Sequence, residues 1–180
     1  LPHVPQDRFP AQALAAELLT IDSSTGAEGG AVDFVSKWLV ARGWNVHLQE
    51  VTRGRANVWA SRAGGGVTLS THLDTVPPTG RIEPVVDDDG VVRNAAGTIL
   101  GADDKSAVAV MLEAARRVLS ERRPHAGIEL LFTPKEEVGL LGAGAFDASR
   151  LDARNGFVYD QAAPIGEVIL GAPFAQSLVV

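Results

Sequence analysis

The sequence contains no cysteine, and this absence removes two kinds of chemistry from consideration. Disulfide bonds cannot form, and no metal site can use a thiolate ligand. The remaining side chains that bind metals well are four histidines and 22 aspartates and glutamates. Any metal ion bound by this chain must therefore be held by imidazole and carboxylate groups.

Basic residues and long apolar runs are also scarce. The 16 lysines and arginines are outnumbered by the acidic residues, which gives a net charge of -6. Such a surface repels the phosphate backbone, so we expect no nucleic-acid partner. No apolar stretch approaches the roughly 18 residues that a membrane-spanning helix needs, so we expect no membrane span.

The first ten residues, LPHVPQDRFP, are too polar and too interrupted by proline to resemble a signal peptide. We therefore expect a cytoplasmic protein. The sequence also begins without methionine, and we expect that the chain is trimmed at its amino terminus.

The composition of the chain is that of a folded domain. Hydrophobic residues make up 46% of the 180 residues, which is enough for one good core. Charged residues of both signs make up a further 21%, so wholesale disorder is not expected.

Helical and strand patterns alternate along the chain. Helical spacing predicts helices over 11–21, 31–43 and 105–121, with a short helical segment over 140–149. Runs rich in β-branched residues predict strands over 45–51, 57–61, 67–73, 127–133, 156–160 and 166–170, and a hairpin over 81–94. This alternation predicts an α/β fold, with a layered sheet and helices on both faces.

Acidic and imidazole side chains follow several of these strands. In layered α/β sheets, active groups gather at the carboxyl ends of the strands. The residues concerned are His72 and Asp74 at the end of 67–73, Asp103 and Asp104 before helix 105–121, Glu136 and Glu137 after 127–133, and Asp160 at the end of 156–160. Together they indicate a metal site.

Each of these residues has a simpler explanation when it is taken alone. Adjacent glutamates usually lie in a solvated loop. An aspartate pair before a helix can serve as its amino-terminal cap, and an aspartate after a strand is a common turn residue. The signal is the ordered series of acidic groups, each at a strand end or a helix start.

Four segments resemble successive blocks of the co-catalytic zinc peptidases. These segments are STHLDTVPP, LGADDKSAVA, TPKEEVGLLGA and YDQAAPIGEVILGAP. The family includes tripeptide aminopeptidase (peptidase T), the carboxypeptidase G type and the aminoacylases. The resemblance covers residues 67–180 and is nearest to the tripeptidase branch, so it implies a zinc-exopeptidase-like catalytic domain that hydrolyses short peptides.

The resemblance implies a ligand set for two Zn²⁺ ions. His72 and Asp160 would hold one ion, Glu137 would hold the second, and Asp103 would bridge both. The peptide bond that follows Asp103 would be cis.

The resemblance also implies two catalytic residues that do not bind metal. Asp74 would hydrogen-bond the free ring nitrogen of His72 and fix its tautomer. Glu136 would be the general base that takes a proton from the attacking water and later delivers it to the leaving amine.

The sequence departs from the family pattern in one respect. The family uses a fifth ligand, a second histidine, which we expect beyond Val180. We expect residues 1–171 to be the amino-terminal part of the catalytic domain and 172–180 to begin an inserted lid domain, through which the family usually forms homodimers. A chain truncated in this way is expected to be inactive by itself.

Two alternatives stay open on the sequence alone. Within the same family, the substrate could be an N-acyl amino acid or the carboxy-terminal residue of a peptide. In a different class, the chain could be a non-catalytic module that keeps the fold for binding. Retention of Glu136 argues against the second alternative, because a binding module has no need of a base.

Overall fold

The computed structural model describes residues 10–78, 80–162 and 164–171. The helices within these ranges are α1 (Pro10–Leu19), α2 (Gly29–Val40), α3 (Ala102–Ser120) and α4 (Leu141–Ala145), with a 3-10 turn over Ala148–Arg150. The strands are β1 (Asn45–Thr52), β2 (Arg55–Arg62), β3 (Val67–His72), β4 (Pro84–Val86), β5 (Val92–Asn94), β6 (Ile128–Thr133) and β7 (Asn155–Val158).

The central sheet has five strands in the order β1-β2-β6-β3-β7. Strand β2 runs antiparallel to both of its neighbours, β1 and β6, whereas β6, β3 and β7 are parallel to one another. The hairpin predicted over 81–94 is present as the separate pair β4–β5, which turns at Gly90 with a positive φ of 84°. The predicted mixed α/β sheet is therefore confirmed.

The core lies on one face of this sheet. Val58 of β2 and Phe132 of β6 are paired in register and fully buried, so their side chains leave the sheet on the same side. They belong to one cluster with residues of all three long helices, such as Leu18, Val35 and Leu112. Helices α1, α2 and α3 therefore cover a single face.

The opposite face carries the short helix α4 and the loop after the 3-10 turn, where the Asp152 and Ala153 amides donate to the buried carboxylate of Glu129 in β6. Asn57 points away from its neighbour Val58, because successive side chains of a strand alternate. Its amide nitrogen donates to the carbonyl oxygen of Gly142 in α4 at 2.9 Å. Helices thus lie on both faces, as predicted, but very unequally.

One predicted strand is wrong. Residues 166–170 form no strand, and their apolar side chains Val168, Ile169 and Leu170 are exposed. A β-branched run has strand character only when a neighbouring strand accepts its hydrogen bonds. The described part of the chain places no such neighbour beside it.

The segment 172–180, which we expected to begin a lid domain, lies outside the described residues. Within the described residues, no helix combines the length and the apolar character needed to cross a membrane.

The turn between β6 and α4 depends on close backbone packing at Gly142. A Cβ atom there would lie 2.2 Å from the carbonyl oxygen of Pro134 and 2.7 Å from its Cδ. The Gly142 amide also donates to that same oxygen at 3.1 Å. Because the obstacle is largely backbone, it cannot move aside cheaply.

We expect Gly142→Ala to lower the free energy of unfolding by about 1–3 kcal/mol, as overpacking does. The matched control is Gly144→Ala in the same helix, where an added Cβ meets nothing within 4 Å. That variant should be neutral or more stable by about 0.5–1 kcal/mol. Urea unfolding of the two variants tests this, and equal midpoints would contradict it.

Candidate metal centre

The parallel arrangement of β3, β6 and β7 brings the predicted residues to one edge of the sheet. His72 is the last residue of β3, and Asp160 comes two residues after β7. Glu136 and Glu137 follow β6 by three and four residues. Because parallel strands end on the same side, all these side chains emerge together.

His72 lies at the middle of this cluster and is only 2% exposed. Its Nε2 atom lies 3.1 Å from an oxygen of Asp103 and 3.7 Å from an oxygen of Asp160. Asp103 stands at the start of α3, on a segment 31 residues further along the chain. Three separate elements therefore meet at one imidazole nitrogen.

Two overlapping groups of possible ligand atoms share His72. One consists of His72, Asp103 and Glu137, and the other of His72, Glu136 and Asp160. Within each group the ligand atoms lie within 4.8 Å of one another. All four residues predicted to hold metal thus belong to the cluster, and Glu136, predicted as the base, lies among them.

The donor atoms suit Zn²⁺, which is held in proteins by histidine nitrogen and carboxylate oxygen. The two groups share the single imidazole of His72, whose Nε2 atom can bind one ion, and each group adds two carboxylates. Three protein ligands leave a coordination position open for water or substrate, as in catalytic zinc sites. The residues present therefore fit the ion that the sequence predicts.

Asp74 is fully buried beneath the cluster and holds the two glutamates in place. One of its carboxylate oxygens accepts the backbone N–H of Glu136 at 2.9 Å, and the other accepts that of Glu137 at 3.2 Å. The Nδ1 atom of His72 lies 2.8 Å from the main-chain carbonyl of Asp74 and 3.5 Å from its carboxylate. The nearer partner of the imidazole is thus the backbone of Asp74.

The pair Asp103–Asp104 is divided between two environments. The side chain of Asp103 is 76% exposed and faces His72. The side chain of Asp104 is buried, accepts a hydrogen bond from the hydroxyl of Thr71 and accepts another from the backbone N–H of Ala107. The peptide bond between the two aspartates is cis, as the resemblance predicts.

Thr25 is the residue that sequence analysis missed. It lies in the loop between α1 and α2, and its hydroxyl donates to the carboxylate of Asp74 at 2.9 Å. The loop is fixed there because the Thr25 amide donates to the carbonyl oxygen of Thr75 and the Thr75 amide donates to that of Ser23. Nothing in the sequence links Thr25 to Asp74, which is 49 residues away.

The concentration of carboxylates changes the pKa values of the cluster. Burial raises the pKa of Glu136, of Glu137 and of Asp160, and neighbouring carboxylates raise each of them further. Burial alone would lower the pKa of His72, but Asp74, Asp160 and other nearby carboxylates raise it to about 9. The cluster therefore favours a bound cation, either a proton on His72 or a metal ion.

We expect Zn²⁺ binding at pH 7 to release about one proton from His72, because a metal binds the neutral imidazole. Below pH 9 the apparent affinity for Zn²⁺ should rise with pH, since fewer protons then compete for the nitrogen. Calorimetric titrations in buffers of different ionisation enthalpy measure the released proton.

The control for this titration is His125→Gln, which changes an exposed histidine outside the cluster. Its proton release should equal that of the unmodified protein, whereas His72→Gln should abolish tight binding. Zn²⁺ binding that releases no proton between pH 7 and pH 8 would contradict the raised pKa of His72.

Comparison with known families matches the model of Peptidase family M28 to residues 57–163. Two curated relatives match most of this chain. Protein YqjE of Bacillus subtilis is 34% identical over 87% of this chain and 44% of its own length. A probable carboxypeptidase of Aspergillus terreus is 33% identical over 91% of this chain and 38% of its own length.

Solved structures of peptidases also match this chain. A tripeptidase from Staphylococcus aureus superposes with a TM-score of 0.79 and 33% identity, over 85% of this chain and 43% of that one. Aminopeptidase PepT from Bacillus cereus gives a TM-score of 0.78 and 31% identity, over 88% of this chain and 44% of that one. The chain thus spans less than half the length of these proteins.

The predicted resemblance to zinc peptidases is confirmed by these matches. The family model covers more than half of the chain, from within β2 to just beyond Asp160. It therefore includes His72, Asp103, Glu137 and Asp160. The chain belongs to peptidase family M28.

Proposed function

We propose that this chain supplies the metal-binding part of a di-zinc exopeptidase that removes the amino-terminal residue of short peptides. The observation that carries the proposal is the convergence of carboxylates from two strand ends and one helix start around the buried His72, which ends a third strand. Similarity to a tripeptidase and to PepT, both above 30% identity, supports the aminopeptidase branch.

His72, Asp103, Glu137 and Asp160 would hold the zinc ions. Bound Zn²⁺ would supply a Lewis acid that polarises the scissile carbonyl and lowers the pKa of the attacking water. The side chains of the protein would supply the positioning and the proton transfer. Asp74 would keep the two glutamates in register, because it holds both of their backbone N–H groups.

Glu136 would move the proton. Its pKa is raised by burial and by the neighbouring carboxylates, which brings it nearer to neutral pH than that of an ordinary glutamate. A carboxylate whose pKa is raised in this way can accept a proton from the attacking water and return it to the leaving amine. A module that only binds peptides would not need this group.

Three forms of the peptide Leu-Gly-Gly test the reaction. These are the free peptide, the N-acetyl peptide and the peptide amide. An aminopeptidase releases leucine from the free peptide and its amide, but not from the N-acetyl peptide. The assay uses the complete protein that contains this chain, loaded with Zn²⁺, and identifies products by mass spectrometry.

A second candidate is carboxypeptidase or N-acyl amino acid hydrolase activity, which the probable carboxypeptidase from Aspergillus terreus supports. Release of glycine from the N-acetyl peptide would identify a carboxypeptidase. Release of acetate from N-acetyl-leucine would identify a deacylase. Absence of all three reactions in zinc-loaded protein would leave the binding module as the explanation.

The expected homodimer, cytoplasmic location and boundary of the catalytic domain at residue 171 stay predictions. Size measurement of the complete protein in solution tests the first of them.

A further inference from the structure

Lys105 is a buried lysine that the proposed reaction does not use. It lies in the first turns of α3 and is only 2% exposed. Its ammonium group donates to the carbonyl oxygen of Ile21 at 2.6 Å. An ammonium has three N–H donors, so this bond leaves two of them to be satisfied.

The ammonium group also has no paired carboxylate. Among ion pairs of the described residues, none brings a carboxylate oxygen within 4.0 Å of Lys105. A buried cation without a counterion is costly, and proteins normally pair it or hydrogen-bond it fully. An anion placed beside Lys105 would remove that cost.

Lys105 lines a cavity of about 370 Å³ between the end of α1 and the loop after β3. Leu19, Pro78 and Ile82 contribute apolar side chains to the wall of the cavity. Ser23 also lines it, and the Oγ atom of Ser23 is buried without a hydrogen-bond partner. A buried hydroxyl of this kind normally binds a polar group or water.

The cationic group that remains for an anion in this cavity is the ammonium of Lys105. Arg81 also lines the cavity, but its guanidinium pairs with Glu83 at 3.0 Å, and Asp22 contributes a carboxylate to the lining. One oxygen of Asp22 already accepts the backbone N–H and the hydroxyl of Ser24, at 2.9 and 2.7 Å. Asp22 is therefore hydrogen-bonded within its own loop, and it acts on Lys105 only through space.

We propose that this cavity binds a small organic carboxylate that carries an apolar tail. The carboxylate accepts hydrogen bonds from the ammonium of Lys105 and the hydroxyl of Ser23. The tail lies against Leu19, Pro78 and Ile82. None of the residues predicted to hold zinc lines this cavity, so the site is separate from the metal centre and does not depend on its activity.

Hexanoate is the probe, titrated into ¹⁵N-labelled, zinc-loaded protein while backbone amide shifts are followed. We expect saturable shifts at the amides of Ile21, Ser23 and Thr75. Inorganic phosphate, an anion without a tail, and hexanamide, a tail without charge, should both bind more weakly. Carboxylates also bind zinc, and shifts near His72 and Asp103 would report that separate event.

Two variants test the donors. Lys105→Met keeps the length of the side chain and removes its charge, and should weaken hexanoate binding by about 10- to 100-fold. Ser23→Ala should weaken it by about three- to tenfold without lowering the melting temperature, because the Oγ atom has no partner in the protein to lose. Ser106→Ala, an exposed serine of α3, is the matched control.

The Ser23 variant keeps the test decisive if Lys105→Met fails to fold. Equal hexanoate affinity in Ser23→Ala and Ser106→Ala would overturn the proposal. So would shifts confined to the metal centre, or tighter binding of phosphate than of hexanoate. Weaker hexanoate binding by the folded, zinc-loaded Ser23→Ala variant than by Ser106→Ala would support it.

Discussion

Replacing Glu136 by glutamine is expected to reduce peptide hydrolysis by about 10²- to 10⁴-fold, which is the usual contribution of a general base. Glutamine has the same size and keeps its backbone N–H, which donates to Asp74. It cannot accept the proton of the attacking water. The substitution therefore removes the proton transfer and leaves the surrounding turn in place.

Zinc content distinguishes this role from that of a metal ligand. Glu136 lies within 4.8 Å of ligand atoms of His72 and Asp160, so the geometry also permits it to bind metal. If Glu136 is the base, Glu136→Gln retains both zinc ions, whereas Glu137→Gln loses one. The control is Glu167→Gln, an exposed glutamate after Asp160, which should retain full activity and both ions.

The reverse pattern of zinc loss would exchange the roles of the two glutamates. Mass spectrometry of the native protein, or elemental analysis, supplies the stoichiometry. Hydrolysis is measured on the same samples with the free tripeptide. A Glu136→Gln variant that keeps both ions and hydrolyses normally would show that the proton moves through another group.

The position of the site could be predicted because it follows from strand order. His72, Glu136 and Asp160 each come shortly after an apolar run that is recognisable in the sequence. Once those runs pair in parallel, their carboxyl ends must lie on one edge. The structure has this pairing, with β3 between β6 and β7.

The supporting contacts could not be predicted, because they join segments far apart in the sequence. Thr25 is one of several small polar residues in a loop, and only the fold brings it to Asp74. Sequence analysis assigned the Asp74 carboxylate to the imidazole of His72. The Nδ1 atom of His72 lies 3.5 Å from that carboxylate, and the fold also brings Thr25 and the backbone of the glutamate turn to it at shorter distances.

The wrong strand at 166–170 has a similar cause. Its β-branched run, Val168 and Ile169, has the composition of a strand, but a strand exists only through its neighbour. The sequence pattern records local preference and carries no information about which partner is present.

We expect Asp74→Asn to lower the free energy of unfolding by about 2–4 kcal/mol and to impair zinc binding. Both carboxylate oxygens of Asp74 accept hydrogen bonds, from the amides of Glu136 and Glu137 and from the hydroxyl of Thr25. An asparagine amide has one oxygen and one NH₂ group. In either orientation it therefore places a donor against a donor in a buried position.

The pH dependence follows from the state of this carboxylate. Burial raises the pKa of Asp74, but its hydrogen bonds with His72, the glutamate turn and Thr25 together lower it below its usual value. A lowered pKa stabilises the fold above the usual pKa of aspartate, and this stabilisation is lost as the pH falls through the lowered value. The difference between Asp74→Asn and the unmodified protein should therefore be full at pH 7 and should shrink in acid.

Thr25→Val is a milder variant for comparison. It removes the one hydroxyl that donates to Asp74 and nearly preserves the shape of the side chain. It should lower the free energy of unfolding by about 1–3 kcal/mol, and Thr25→Ser should restore that stability by returning the hydroxyl.

The two positions differ in one further readout. Asp74→Asn removes a carboxylate that raises the pKa of His72, so proton release on Zn²⁺ binding should fall off at a lower pH. Thr25→Val leaves that charge in place and should not move the profile. Equal unfolding free energies for Asp74→Asn and Thr25→Val would mean that the contacts of Asp74 with the glutamate turn add nothing to stability, and that Thr25 is its only effective partner.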